Sequence, residues 1–264
     1  EIFVPEDVMV DVVAARGTRE ASRAASGVPC HLLPAPDGMK YMPFQCAGIM
    51  FAAERPGTII GDDMGLGKTI QAIGVINTRP EIGSVVIVAP ASLLRNWAGE
   101  LRAWLVRPAR VYVAETNDPV PPDANIVIVN YEILDRHVGW LGAHGFRGMV
   151  VDEAHFIKNK SSQRSQHVLE LSERIRSKHA RALFMALTGT PLINDIEDFK
   201  AIWQFLGWID STKPRHALMA ALEETGLTPA DHGFYAAART SVINQGIVRR
   251  RKVDVASDIP ARRV

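Results

Sequence analysis

Nine consecutive residues, Gly61-Asp62-Asp63-Met64-Gly65-Leu66-Gly67-Lys68-Thr69, set two closely spaced glycines before a lysine and a hydroxyl. Glycines at 65 and 67 let the backbone curl until successive N–H groups face one anion, and a helix opening near Lys68 adds its positive end. In such a loop, Lys68 reaches the β and γ phosphates of a nucleotide and Thr69 ligates Mg²⁺. The strict spacing, G-x-x-x-x-G-K-[ST], asks for glycine at position 62, where this chain has Asp62. The simple pattern therefore fails by one residue. A glycine-rich turn that binds no nucleotide is the plain alternative, and the strand before the loop and the helix after it weigh against that alternative.

A second signal lies about eighty residues on, in Val150-Val151-Asp152-Glu153-Ala154-His155. An apolar strand here delivers two carboxylates to its C-terminal end, where open α/β sheets place their ligands. The pair can divide the work: Asp152 holds Mg²⁺, and Glu153 accepts a proton from the attacking water. By itself, Asp-Glu after a strand is a common solvated strand end. Paired with a phosphate loop it becomes informative.

Both signals need a sheet to hold them. Continuous apolar, β-branched runs predict buried parallel strands at 58–60, 85–88, 111–113, 126–129, 149–151 and 183–187. Between them, helices are predicted over 43–54, 68–77, 92–105, 131–144 and 161–176, several opened by Ser or Pro. The alternation implies βαβ units and a sheet of about six strands covered on both faces. From 196 to 248 the pattern is helical throughout, with breaks at Lys213-Pro214 and Gly226-Leu227-Thr228-Pro229. The division that follows is an unassigned extension at 1–40, an α/β core at 41–195, a helical annex at 196–248 and a junction at 249–264.

With 264 residues, 47% hydrophobic and 22% charged, the chain can bury a substantial core, and no apolar run is long enough to cross a membrane. A net charge of +1 neither favours nor disfavours a nucleic-acid partner, because a basic stripe can be offset elsewhere. Cys30 and Cys46 are too few for a disulfide framework or zinc cluster and read as inert thiols in a reducing interior. The chain opens on Glu1, without a basic-then-apolar leader, and reads as an internal piece of a longer protein.

Gly61 to Thr69, Asp152 to His155 and Leu187-Thr188-Gly189-Thr190-Pro191-Leu192-Ile193-Asn194 resemble motifs I, II and III of superfamily-two helicases of the Swi/Snf type. That family tolerates an acidic residue at position 62. The segment 88–100 is similar to its motif Ia, Ile128-Val129-Asn130-Tyr131-Glu132 to motif Ib, and Met42-Pro43-Phe44-Gln45 to the adenine-reading Q motif. The resemblance runs from about residue 41 to the end and looks closest to the annealing-helicase branch.

The resemblance implies a RecA-like P-loop lobe that binds ATP with Mg²⁺. Gln45 reads the adenine; Asp63, Met64, Gly65, Leu66, Gly67, Lys68 and Thr69 cradle the phosphates; Lys68, Asp152 and Glu153 act in hydrolysis. Ser92, Arg95, Asn96 and Asn130 become candidate contacts to double-stranded DNA, while Thr188 and Thr190 couple nucleotide state to the DNA surface. Trp97 reads as core rather than a base stacker, and His155 receives no catalytic role. The run Arg249 to Lys252 resembles the segment leading into a second RecA-like lobe, absent here, that supplies arginine fingers; it reads either as a solvated charge run or as a contact to DNA or that lobe. The expected setting is intracellular. Two alternatives stay open: an RNA helicase of the Asp-Glu-Ala-His group, and a regulatory module that binds nucleotide without turnover.

Overall fold

The computed structural model describes residues 30–115, 121–189, 200–210, 213–214, 216–227, 233, 237, 241 and 244–255. Its strands are β1 (Gly57–Ile60), β2 (Val85–Ala89), β3 (Val111–Val113), β4 (Ile126–Asn130), β5 (Gly148–Val151), β6 (Leu183–Leu187), β7 (Ile209–Asp210), β8 (Lys213–Pro214) and β9 (Ile247–Val248). The helices are α1 (Pro43–Ala53), α2 (Lys68–Thr78), α3 (Leu94–Trp104), α4 (Leu134–His144), α5 (Gln163–Lys178), α6 (Lys200–Leu206) and α7 (His216–Glu223).

Seven strands form one sheet in the order β3-β4-β2-β5-β6-β1-β9, and every neighbouring pair is parallel. Alternate residues of these strands feed two separate cores, as the two-residue side-chain period requires. Ile59, Val86, Val88, Val127, Val129, Met149, Val151, Phe184 and Ala186 face α4, α5 and α6. Ile60, Val85, Ile87, Ile126, Ile128, Val150, Leu183, Met185 and Leu187 face α1, α2 and α3. With both faces covered, the strand register is strongly specified, and all loops at the C-terminal edge are carried on one rigid frame.

Local chemistry sets the helix starts. Pro43 occupies the first position of α1, and the Gln45 Oε1 accepts from the Met42 backbone N–H at 2.9 Å, answering one of the donors a helix start leaves open. Ser162 Oγ accepts from Ser165 N at the start of α5. Helix α4 begins at Leu134 rather than 131, because Asn130 Oδ1 accepts from the N–H groups of Glu132 and Ile133, both at 3.0 Å, and closes a turn there.

Three expectations are corrected. The main sheet has seven strands rather than six, because Ile247 and Val248, which open the charged run, pair with Ile59 and Ile60. The region from 196 to 248 is not helical throughout: β7 and β8 form an antiparallel pair, and β9 joins the main sheet. Cys30 and Cys46 are not free thiols. Sixteen residues apart in sequence, they come to a Cα separation of 5.5 Å and are joined as a disulfide. Leu33 of the N-terminal extension packs into the second core beside Tyr41, which stacks on Trp104 at 5.1 Å between ring centroids.

Candidate nucleotide site

The loop 61–67 leaves β1 and enters α2 at Lys68. Gly65 (φ 84°) and Gly67 (φ 74°) are both left-handed, the conformation that lets the chain fold back over the first turn of α2. Gly67 has a second constraint, since a Cβ there would stand 2.5 Å from Gln45 Nε2. Above the loop, the N–H groups of the first turn of α2 lack intrahelical partners, which makes this end an anion seat. Lys68 Nζ donates to the Asp62 carbonyl at 2.9 Å and lies beside Gly189 at the end of β6. Thr69 is half-buried next to it.

Asp62 does not face the phosphate side of the loop. Its carboxylate is fully buried and turned into the lobe, where Oδ2 accepts from Arg250 Nη2 at 2.6 Å and from Gln71 Nε2 at 2.8 Å. Its Oδ1 accepts from the Arg250 backbone N–H (2.9 Å) and Nε (3.0 Å). This explains the departure from the strict glycine spacing: the side chain at 62 has a place of its own, behind the loop. It also corrects the reading of the charged run at 249–252. Arg250 is 2% exposed and is neither a solvated charge nor free to meet DNA. Arg251 pairs with Asp254 at 2.9 Å on the surface.

Gln45, expected to read adenine, is buried and divided between two backbone partners. Its Oε1 takes the Met42 N–H, and its Nε2 donates to the Leu66 carbonyl at 3.3 Å. The residue thus touches the phosphate loop directly and positions its rear wall.

Asp152 and Glu153 follow β5, two strands from β1 across β6. Asp152 is 5% exposed; its Oδ2 accepts from the Trp97 indole N–H at 2.8 Å and its Oδ1 from the Glu153 backbone N–H at 2.8 Å. Burial pushes the Asp152 carboxyl above its ordinary range, and the neighbouring Glu153 adds to the rise; the two hydrogen bonds and the charge of Lys68 oppose it. Lys68 Nζ lies beside Gly189, just past the end of β6, the strand that pairs with β5, so the loop lysine and the strand-end carboxylate share one edge of the sheet. Glu153 is the one non-glycine residue with positive φ (49°) among the described residues. Such backbone is uncommon and concentrates at functional sites. Its Oε2 lies 3.2 Å from His155 Nδ1.

Two further residues, given no site role from sequence, frame Asp152. Trp97 is completely buried in α3, as core residues are, but its one polar atom is spent on the carboxylate. Tyr131 is also buried, and its hydroxyl donates to the Asp152 carbonyl at 2.5 Å; burial, with the charges of Asp152 and Glu153 behind it, holds the phenol well above its usual range. Periodicity marks both rings as interior, but carries no sign of where an indole N–H or a phenol O–H ends.

Of the remaining candidates, Ser92, Arg95 and Asn96 are exposed at the C-terminal edge of β2, in the short turn Ala91–Leu93 and the first turn of α3. Asn130 is half-buried and its Oδ1 is engaged by the turn it closes. Thr188 is buried and its N–H donates to the Ile60 carbonyl at 3.1 Å, joining the end of β6 to the start of the loop. Thr190 and residues 191–194 lie outside the described residues.

Fold and site together define a RecA-like lobe of the helicase-like ATPases. The chain belongs to the SNF2-related domain family, which matches residues 23–264. It is 30% identical over 215 residues to the DNA repair and recombination protein RAD54B of Gallus gallus, covering 76% of this chain and 21% of that protein. It is 32% identical over 189 residues to the DNA annealing helicase and endonuclease ZRANB3 of Mus musculus, covering 66% of this chain and 17% of the relative. Among solved structures, the Sulfolobus solfataricus SWI2/SNF2 ATPase core in complex with dsDNA superimposes with a TM-score of 0.66 at 27% identity, over 84% of this chain and 47% of that one. The chain thus spans about a fifth of the length of these curated relatives and about half of the solved core.

Proposed function

We propose that this chain is the ATP-binding lobe of an ATP-driven motor that acts on double-stranded DNA, of the remodelling or annealing type. The observation that carries the reading is the loop of 61–69 and the Asp152 strand end standing on one C-terminal edge, where β1 and β5 flank β6 and which also exposes Ser92, Arg95 and Asn96. In this reading Lys68 binds the β and γ phosphates, Gln45 lies against the adenine side, and Glu153 accepts the proton of the attacking water. Oxygen donors suit Mg²⁺, which takes one or two protein oxygens and fills the rest of its shell with phosphate and water. Asp152 and Thr69 would hold the ion, whose charge offsets that of the phosphates.

The DNA assignment rests on family membership and on the relatives named above, which also disfavours the RNA-helicase alternative. Backbone-directed contacts suit Ser92, Arg95 and Asn96, small or cationic groups beside a helix start; Asn130 has only its amide nitrogen to offer. An intracellular setting follows from a DNA partner; among the described residues no helix is long and apolar enough to cross a membrane. An arginine supplied by a second lobe would complete the charge stabilisation, a contribution of about 10³–10⁵ in rate in related NTPases.

The test has two parts. Calorimetry should find that ATP binds this chain and that Lys68→Ala abolishes binding. Turnover by this lobe joined to a second RecA-like lobe should rise most with duplex DNA, compared with forked DNA, single strands and RNA. Equal ATP affinity in Lys68→Ala, or stronger stimulation by RNA, overturns the reading.

A further inference from the structure

The stretch from Val248 to Lys252 runs alongside the first residues of the phosphate loop and is bonded to them at each step. Gly61 N–H donates to the Val248 carbonyl at 2.7 Å, and Asp63 N–H to the Arg250 carbonyl at 3.0 Å. The Lys252 backbone N–H returns a bond to Asp63 Oδ2 at 3.0 Å. Inside this ladder the Arg250 guanidinium sits on Asp62, shares Nη2 with Gln71 Oε1 at 2.7 Å, and donates through Nη1 to the carbonyl of Phe44. Gln71 in turn reaches the Leu66 carbonyl at 3.4 Å, the same atom that Gln45 holds. The space for this cluster is provided by Gly48, where a Cβ would stand 2.0 Å from Gln71 Oε1 and 2.5 Å from Arg250 Nη2.

We propose that Arg250 is a positioning residue for nucleotide binding: it neutralises the carboxylate buried beneath the phosphate loop and ties that loop to the chain segment that follows β9. The inference rests on the reading of 61–69 as a phosphate site. A full negative charge at Asp62, without its partner, would lie under the anion the loop must hold, and it would compete for Lys68, whose Nζ already rests on the Asp62 carbonyl. Neutralised by a fork bonded on both oxygens, Asp62 instead becomes a rigid support for the loop. The segment after Arg250 is then linked to the site in both directions. A change that pulls Arg250 from Asp62 weakens nucleotide, and bound nucleotide holds the segment in place by the same factor.

The experiment measures ADP affinity by calorimetry for the wild type, Arg250→Met, Arg250→Lys, the double variant Asp62→Asn with Arg250→Met, and Lys68→Ala, with a thermal melt of each. At an effective dielectric near 20, an unpaired charge several ångströms from the phosphates weakens affinity on the order of tenfold to a hundredfold. That loss is expected for Arg250→Met, with a smaller one for Arg250→Lys. The double variant, which removes both charges, should recover most of the affinity. A folded Arg250→Met chain that binds ADP like the wild type, or a double variant as weak as the single, overturns the proposal. If Arg250→Met does not fold, Gly48→Ala decides, because its methyl meets both the Gln71 amide and the Arg250 guanidinium and so disturbs the cluster behind the loop: unchanged affinity there also overturns the proposal. Absence of ADP binding by the wild type, or binding that survives Lys68→Ala, would instead remove the phosphate-site reading beneath it.

Discussion

Trp97→Phe separates packing from polar support at the carboxylate proposed to serve Mg²⁺. The substitution keeps an aromatic ring in a completely buried position and deletes the N–H that donates to Asp152 Oδ2 at 2.8 Å. A hydrogen bond to a charged acceptor contributes about 1.5–3 kcal/mol, and the smaller ring leaves a void worth about 1 kcal/mol more. A total loss of about 2.5–4 kcal/mol is expected at neutral pH. The pH dependence identifies the polar part. Burial raises the folded-state pKa of Asp152 above its ordinary 3.8, and the Trp97 N–H works against that rise. An acid with a raised folded-state pKa costs stability when ionised; the cost is full above that pKa and fades as pH falls through it. Trp97→Phe raises the pKa further, so the gap between variant and wild type should be widest at neutral pH and narrow as pH falls from the variant's folded-state pKa to the wild type's, both above the ordinary 3.8. Urea unfolding at several pH values from about 8 to about 4 measures the gap. With a second RecA-like lobe joined to this one, ATP turnover should fall about 10–100-fold, the usual effect of losing a residue that orients a metal-binding group. A gap that stays constant with pH, with normal turnover, would show that the indole N–H supports nothing but the core.

Glu153→Gln should retain ATP binding and stop turnover, since the amide cannot take a proton; near-normal turnover removes Glu153 as the base. Gly67→Ala forces a Cβ to 2.5 Å from Gln45 Nε2 on left-handed backbone, and should lower stability by about 1–2 kcal/mol and weaken nucleotide; a neutral melt would mean the loop can rearrange. Binding of duplex DNA should be independent of sequence and fall with salt at a slope of about −0.9 per phosphate contact, so salt-insensitive anisotropy curves would exclude a backbone-reading surface. Residues 1–264 alone should show little DNA-stimulated ATPase compared with the same residues joined to a second RecA-like lobe, and equal rates would exclude a two-lobe mechanism.

The strands and the helices between them were legible because each is a local pattern: β-branched runs for β1, β2, β4, β5 and β6, and a Lys-Thr pair directly after glycine for the start of α2. Departures arise where a distant partner decides. Arg250 lies in a run that looks solvated, and nothing nearby announces a carboxylate 188 residues earlier. Two-residue β9 is too short for any periodicity and exists only because β1 offers an edge. Cys30 and Cys46 are uninformative by spacing, and only the packing of residues 30–46 brings them together. Asp62 is the reverse case: its misfit to the simple phosphate-loop pattern was visible, and the buried cation that accounts for it was not.

The pairing of β1 with β9 also bears on how the chain reaches its native state. The contacts of the loop with Gln45, Gln71 and the end of β6 can form once β6 is in place, but those of Gly61, Asp62 and Asp63 with residues 248–252 close loops of nearly 190 residues, 188 for Asp62 and Arg250, and belong among the last to be made. During synthesis, residues 61–63 would emerge long before their partners and wait with a buried-type carboxylate still exposed to water. Competence to bind nucleotide should therefore appear as a late kinetic phase in refolding, after the sheet has formed, and a bound nucleotide would report that the whole lobe, through Arg250, has been completed.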